Sequence, residues 1–218
     1  IAEGVDIIDI GGESTRPGAE RVSEAEEIER TIPVITELAK HGARISIDTM
    51  RASTAEAAIK AGASIINDVS GGLADPEMLQ TAARLQVPYI AMHWRGQSKD
   101  MNSKAIYNDV VIDVISELQE RITAALDAGI EVGNLIIDPG LGFAKDAEHN
   151  WEIIDSIDSF VDLGYPVLVG ASRKRFLGGD SPDEREQATI DLTKRLATTG
   201  VWAVRVHSVK PHKEVLAQ

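Results

Sequence analysis

Four places in this 218-residue chain end a short apolar run on a carboxylate or amide: Asp9, Asp48, the Asn67-Asp68 pair and Asp138. Brought together, such groups can accept hydrogen bonds from a heterocycle rich in N–H donors, or hold a metal. One Asp after a strand equally well caps the next helix or shapes a turn, but repetition over four segments favours function. A cationic set stands near the C-terminus. Lys174 lies in GASRKR, and Arg205-Val206-His207 places an Arg and a His on one side of a strand by period-two alternation, which suits an anion clamp. The plain alternatives are a solvated basic turn, which fits Arg173 and Arg175 better than Lys174, and an Arg paired to an acid. Met92-His93-Trp94 reads as pocket wall or core, with His93 more often structural than catalytic. The run from Asp138 through Gly140 and Gly142 to Lys145 has glycine spacing suggestive of a phosphate loop, yet it matches neither the dinucleotide fingerprint nor a P-loop.

Something must hold these groups at one place, and the apolar runs supply it. Strands are predicted over residues 5–10, 44–47, 64–69, 89–92, 135–137, 167–170 and 202–206. Helical patterns alternate with them. Ser23 and Glu26 have capping-box spacing ahead of an apolar face running to about Lys40, with Pro33 expected to kink or restart that helix. Ser53 and Glu56 repeat the box before an alanine-rich helix that Gly62 can close, and Asp75-Pro76 offers a cap and a first-turn proline to the next. Further helices are predicted over 111–126, 146–163, 183–199 and from Lys210 onward.

Alternating strands and helices give a parallel sheet, and chemistry at every strand C-terminus favours a (β/α)8 TIM barrel over an open doubly wound sheet, which concentrates its site at one switch point. Only seven of eight strands are countable. A first strand upstream of this sequence is therefore expected, leaving no backbone ladder between 5–10 and 202–206. Residues 1–218 read as one domain.

Composition is that of an ordinary globular chain, 43% apolar and 26% charged. With 22 Lys+Arg against 35 Asp+Glu the formal charge is −13, which argues against nucleic acid or an anionic membrane as partner, although basic groups inside a cleft can still focus a local positive field. Cysteine is absent, so disulfide and thiolate chemistry are excluded; this is compatible with a reducing, cytoplasmic setting.

The segments GGESTRPGA, ISIDT, IIND, MHWRG, DPGLGFAK, GASRK and RVHSVK occur in this order over nearly the whole chain, and in them the sequence resembles the dihydropteroate synthase family of the folate pathway, the target of sulfonamides. The resemblance implies a (β/α)8 barrel that joins 4-aminobenzoate to 6-hydroxymethyl-7,8-dihydropterin diphosphate, with Mg2+ assisting and a cytoplasmic homodimer as the usual form. By the same resemblance, Asp48, Asn67, Asp138 and Lys174 match pterin-pocket positions, with Asp9 and Met92 supporting the pterin floor. Arg205, Val206 and His207 match the diphosphate clamp. Thr15, Arg16, Pro17, Phe143 and Ser172 match the aminobenzoate side, Thr15 the pterin diphosphate as well, and Lys174, Arg205 and His207 the catalytic set. The family's magnesium-binding Asn belongs to the first strand, so no metal ligand is expected among these residues. Rival readings are a methyltetrahydrofolate-corrinoid methyltransferase domain, against which STRPG, SRK and RVH discriminate, and a non-catalytic pterin-binding paralogue.

Overall fold

The computed structural model describes residues 1–15, 18–97 and 101–217. Seven parallel strands alternate with helices: β1 Ile8–Gly11, β2 Ile45–Asp48, β3 Ile65–Asp68, β4 Tyr89–Met92, β5 Leu135–Asp138, β6 Leu168–Val169 and β7 Ala203–Val204. The first five pair in chain order as one sheet, and β6 pairs with β7. A single parallel bridge between Ile137 and Val167 joins the two sets. The order is that of a (β/α)8-type barrel, and among the described residues no ladder links β7 to β1. Beyond Val204 the pairing carries one bond further, from the Arg205 N–H to the Val169 carbonyl (3.0 Å).

β-Branched isoleucines dominate strands that are buried on both faces, as a parallel sheet requires. One face of Ile45, Ile47, Ile66, Leu135 and Ile137 joins the core under the helices. The other face closes on itself: Ile65, Ile90, Ile136 and Leu168 form a separate buried cluster with Ile7 and Ala203 packed against it. Five strands, and Ile7 just ahead of β1, thus each place one apolar residue inside the barrel, which is a packed core and not a pore.

The helices are α1 Glu24–Lys40, α2 Ala52–Ala61, α3 Met78–Leu85, α4 Val110–Asp127, α5 Ala147–Asp155, α6 Ile157–Val161, α7 Glu184–Leu196 and α8 Lys210–Leu216. Ser23 caps α1 by accepting from the Glu26 N–H (3.2 Å). Pro33 neither ends nor restarts that helix, which is continuous through it. The proline is exposed, so the carbonyl deprived of its N–H partner can be hydrated. Ser53 is not a cap either. It lies inside α2, and the first amide of that helix, on Ala52, is accepted by the Asp75 carboxylate at 2.8 Å. The other Asp75 oxygen accepts from Glu77 (3.0 Å), and α3 begins at Met78, beyond Pro76. The predicted helix over 146–163 is two helices that break at Ser156. Among the described residues no helix is long and apolar enough to cross a membrane.

Candidate active site

Because side chains on one face of a strand recur every two residues, an apolar residue inside the barrel fixes what stands two positions later, at its C-terminal rim. Ile7 leads to Asp9, Ile65 to Asn67, Ile90 to Met92, Ile136 to Asp138, Leu168 to Gly170 and Ala203 to Arg205. β2 departs from the rule with Ser46 ahead of Asp48. Ser46 stands opposite Asp9 in the register and donates its hydroxyl to it (2.6 Å).

Asp9 is the hub of the site. Besides Ser46 it accepts from the Asn67 amide (3.2 Å to each oxygen) and from Arg205 (3.0 Å), and the same Arg205 nitrogen reaches Asp48 at 3.2 Å. Arg205 crosses to β1 and β2, so a side chain contact spans the side of the ring that carries no ladder. On the other flank, Gly170 lies beside both groups: a β-carbon there would be in ordinary contact, 3.5 Å from Arg205 Nε and 3.9 Å from Asp138 Oδ2. Asp138 accepts from the Gly140 N–H (2.7 Å).

The cationic groups separate. Lys174 donates to the Leu141 carbonyl, and its ammonium stands 4.9 Å from the centre of the Phe143 ring. Phe143 packs in a buried cluster with Met50, Val69, Met92 and Ala144, which makes Met92 an apolar wall. His207 turns from Arg205, because β7 has ended and alternation no longer applies. Its backbone N–H and Nδ1 lie 3.2 and 2.9 Å from Ser172 Oγ. Arg205 and His207 therefore engage different partners, contrary to the expectation that they act from one strand face. Val206, between them, is half-buried. Thr15 lies half-buried in the loop after β1; Arg16 and Pro17 fall outside the described residues.

Burial, joined by the negative charge of Asp9 and only partly offset by Arg205, pushes the Asp48 carboxyl up to about 7. Burial likewise raises Asp138, against the pull of Lys174. Burial and the Arg205 charge push Lys174 down to about 7, while Asp138 opposes them. For Arg205 itself burial favours the neutral form, but Asp48 and Asp9 outweigh it and hold the guanidinium charged. Acids raised and a base lowered in one cleft mark it as a candidate functional site.

A stability consequence follows. Between the ordinary carboxylate range and about pH 7 the folded chain keeps a proton on Asp48 that the unfolded chain has lost, so this group's contribution falls as pH rises. Asp48→Asn removes that loss. Its melting temperature relative to wild type should climb between about pH 5 and about pH 8, by about 2–4 °C for each kcal/mol recovered, while ligand affinity drops. Calorimetry at both pH values checks this, and a difference independent of pH would refute it.

A family model described as pterin binding enzyme matches residues 1–207. Dihydropteroate synthase of Mycobacterium leprae is 46% identical over 226 aligned residues, spanning 99% of this chain and 80% of that protein. The chain belongs to the dihydropteroate synthase family. The Yersinia pestis dihydropteroate synthase, solved in complex with a sulfonamide drug, superposes with a TM-score of 0.95 at 36% identity, over 99% of this chain and 80% of that one. The Xanthomonas albilineans dihydropteroate synthase in complex with 7,8-dihydropteroate superposes with a TM-score of 0.89 at 36% identity, over 99% and 78%.

Among the described residues no group of three or more His, Cys, Asp or Glu side chains is placed to hold a metal ion, and Asp9 and Asp48 are both paired with Arg205. These residues do not by themselves fit a magnesium site of this dihydropteroate synthase family member. Two networks escaped the sequence reading. Glu27 is fully buried within α1, and Lys145 is buried against His93. Neither announces itself in sequence, since a Glu on a helix and a Lys in a loop are ordinarily solvated.

Proposed function

We propose that the chain joins 4-aminobenzoate to the C9 methylene of 6-hydroxymethyl-7,8-dihydropterin diphosphate, giving 7,8-dihydropteroate and diphosphate. The observation that carries the reading is the rim of strand-end groups, in which Asp48, Asn67 and Asp138 flank Arg205 and Lys174 above an apolar barrel interior. Carboxylates and an amide suit the donor-rich edge of a pterin, and the Arg205 guanidinium suits its diphosphate.

Departure of the diphosphate is the demanding step. The C9–O bond breaks with its electron pair leaving on the diphosphate oxygen, and the electron-rich pterin shares the positive charge left at C9. The arylamine nitrogen then donates its pair to C9 and loses a proton to solvent or to the departing diphosphate. No protein nucleophile is needed. Arg205 is the cation for the leaving group, with His207 and Val206 beside it. Lys174 spans the pterin and aminobenzoate sides. Phe143, Ser172 and Thr15 form the aminobenzoate side, to which the resemblance adds Arg16 and Pro17, and Asp9 and Met92 support the pterin floor.

The reading extends to Mg2+ accompanying the diphosphate, to sulfonamides as competitors of aminobenzoate, to a homodimer and to a cytoplasmic setting, each resting on the family resemblance. Release of diphosphate by the purified protein should depend on 4-aminobenzoate and yield 7,8-dihydropteroate identified by mass. Release without the amine, or none with both substrates, would overturn it.

A further inference from the structure

The turn that follows β5 is wrapped around two lysines. Lys174 takes the Leu141 carbonyl from outside. From beneath, the buried Nζ of Lys145 lies 3.1 Å from the Gly140 carbonyl, 3.1 Å from the Phe143 carbonyl and 2.8 Å from His93 Nδ1. Three acceptors around one nitrogen match the three N–H bonds of an ammonium.

His93 is fitted to receive it. Burial first, and then the Lys145 charge, lower the imidazole to about 4, so at neutral pH the ring is uncharged. Its Nδ1 then accepts from Lys145, while Nε2–H donates to Glu117 (2.9 Å), which Arg95 holds in turn (3.1 and 3.0 Å). Burial, with the charges of Lys174 and Arg95, pushes the Lys145 amine well below its usual range, while Asp138 and Glu117 oppose. Two of its three partners are carbonyls of the turn itself, which couples the lysine to the shape of the turn.

That shape is a demanding one. Gly140, Gly142 and Ala144 all have positive φ, at 69°, 76° and 49°. A β-carbon on Gly140 would meet the His93 carbonyl at 2.4 Å, so the turn lies directly on the end of β4. Ala144 is not a glycine, and a left-handed alanine persists only where its surroundings impose it. The Tyr107 hydroxyl supplies a further restraint, donating to the Ala144 carbonyl at 2.9 Å. What the turn then presents to the cleft is the Leu141 carbonyl, the Phe143 ring and, at Gly142, a backbone close enough that a β-carbon would lie 3.0 Å from Lys174 Cδ.

We propose that Lys145 is a positioning residue for the aminobenzoate side of the site, acting by holding the carbonyls of Gly140 and Phe143 so that the turn sets both the Phe143 ring and Lys174. The inference rests on the proposed reading of Phe143 and Lys174. It separates two classes of group. Asp48 and Asn67 stand on strands and keep their places without Lys145, whereas Phe143 and the Leu141 carbonyl do not.

The test is steady-state kinetics of Lys145→Met, with both substrates varied and melting followed in parallel. KM for 4-aminobenzoate is expected to rise about tenfold or more, the scale of one lost charge-assisted contact, with KM for the pterin diphosphate changed less than about twofold. A lysine with a merely structural role would lower the melting temperature and the active fraction without this split. Tyr107→Phe releases the same turn from its other end, removes no charge, and should show the same split at about threefold, so it decides the matter if Lys145→Met does not fold. Equal changes in the two KM values, a larger change for the pterin substrate, or no change in either would overturn the proposal. If wild type forms no dihydropteroate, it is the proposed function that fails instead.

Discussion

Arg205→Ala is expected to lower kcat/KM for the pterin diphosphate by about 10²–10³. A single charge-assisted hydrogen bond contributes about 1.5–3 kcal/mol, which is roughly one to two factors of ten. The remainder comes from what the substitution leaves behind. Arg205 binds Asp9 at 3.0 Å and Asp48 at 3.2 Å, and without it those carboxylates face an incoming anion with no intervening cation. Part of that repulsion will be relieved by protonation of Asp48, whose carboxyl is already pushed up to about 7. The unphosphorylated pterin alcohol should lose far less affinity, because it brings no negative charge. His207→Ala should discriminate in the same direction but more weakly, since that side chain is engaged with Ser172. Calorimetric titration with both pterins measures the contrast, and equal losses for the two ligands would remove Arg205 from the diphosphate side.

The largest effect on stability is expected at a residue outside the cleft. Glu27 is fully buried, and its carboxylate accepts from Thr49 (2.6 Å), Thr54 (3.1 Å) and Arg51. Arg51 also reaches Glu13 (3.3 Å) and the Val22 carbonyl (2.6 Å), tying both ends of the loop after β1 to α1. Gly12 permits the close approach, since a β-carbon there would lie 2.9 Å from the Glu27 side chain and backbone. Glu27→Ala removes one member of a buried charged network and leaves the others unpaired, at a cost of about 3–5 kcal/mol. For a chain of this size the melting temperature should fall by about 10 °C. The exposed pair of Lys40 and Glu37 on the same helix is the control, since solvent screens such a pair and its loss should leave melting nearly unchanged. Glu27→Ala and Glu37→Ala melting alike would show that the buried network adds nothing.

The sequence by itself determined the barrel and the identity of the rim. Isoleucine-rich runs read as doubly buried parallel strands, and an apolar residue followed two positions later by Asp, Asn or Arg reads as interior followed by rim, because strand geometry has a period of two whatever surrounds it. Asp9, Asp48, Asn67 and Asp138 were legible because each closes an apolar run, and the order of the motifs assigned the family. Helix ends were less legible. Ser53 and Glu56 had the spacing of a cap, yet Asp75 from another loop took the amide of Ala52, a competition between partners distant in the chain. Pro33 was tolerated because its side of α1 faces water, and exposure is a property of the packed molecule. Only the tertiary structure decided which acid each cation meets. Arg205 lies 196 residues from Asp9 in the chain and 3.0 Å from it in space, and His207, two residues on, goes to Ser172. It decided too that Glu27 and Lys145 would be buried, since the free energy of a charge depends on the acceptors that folding gathers around it, and those acceptors come from segments that no local pattern connects.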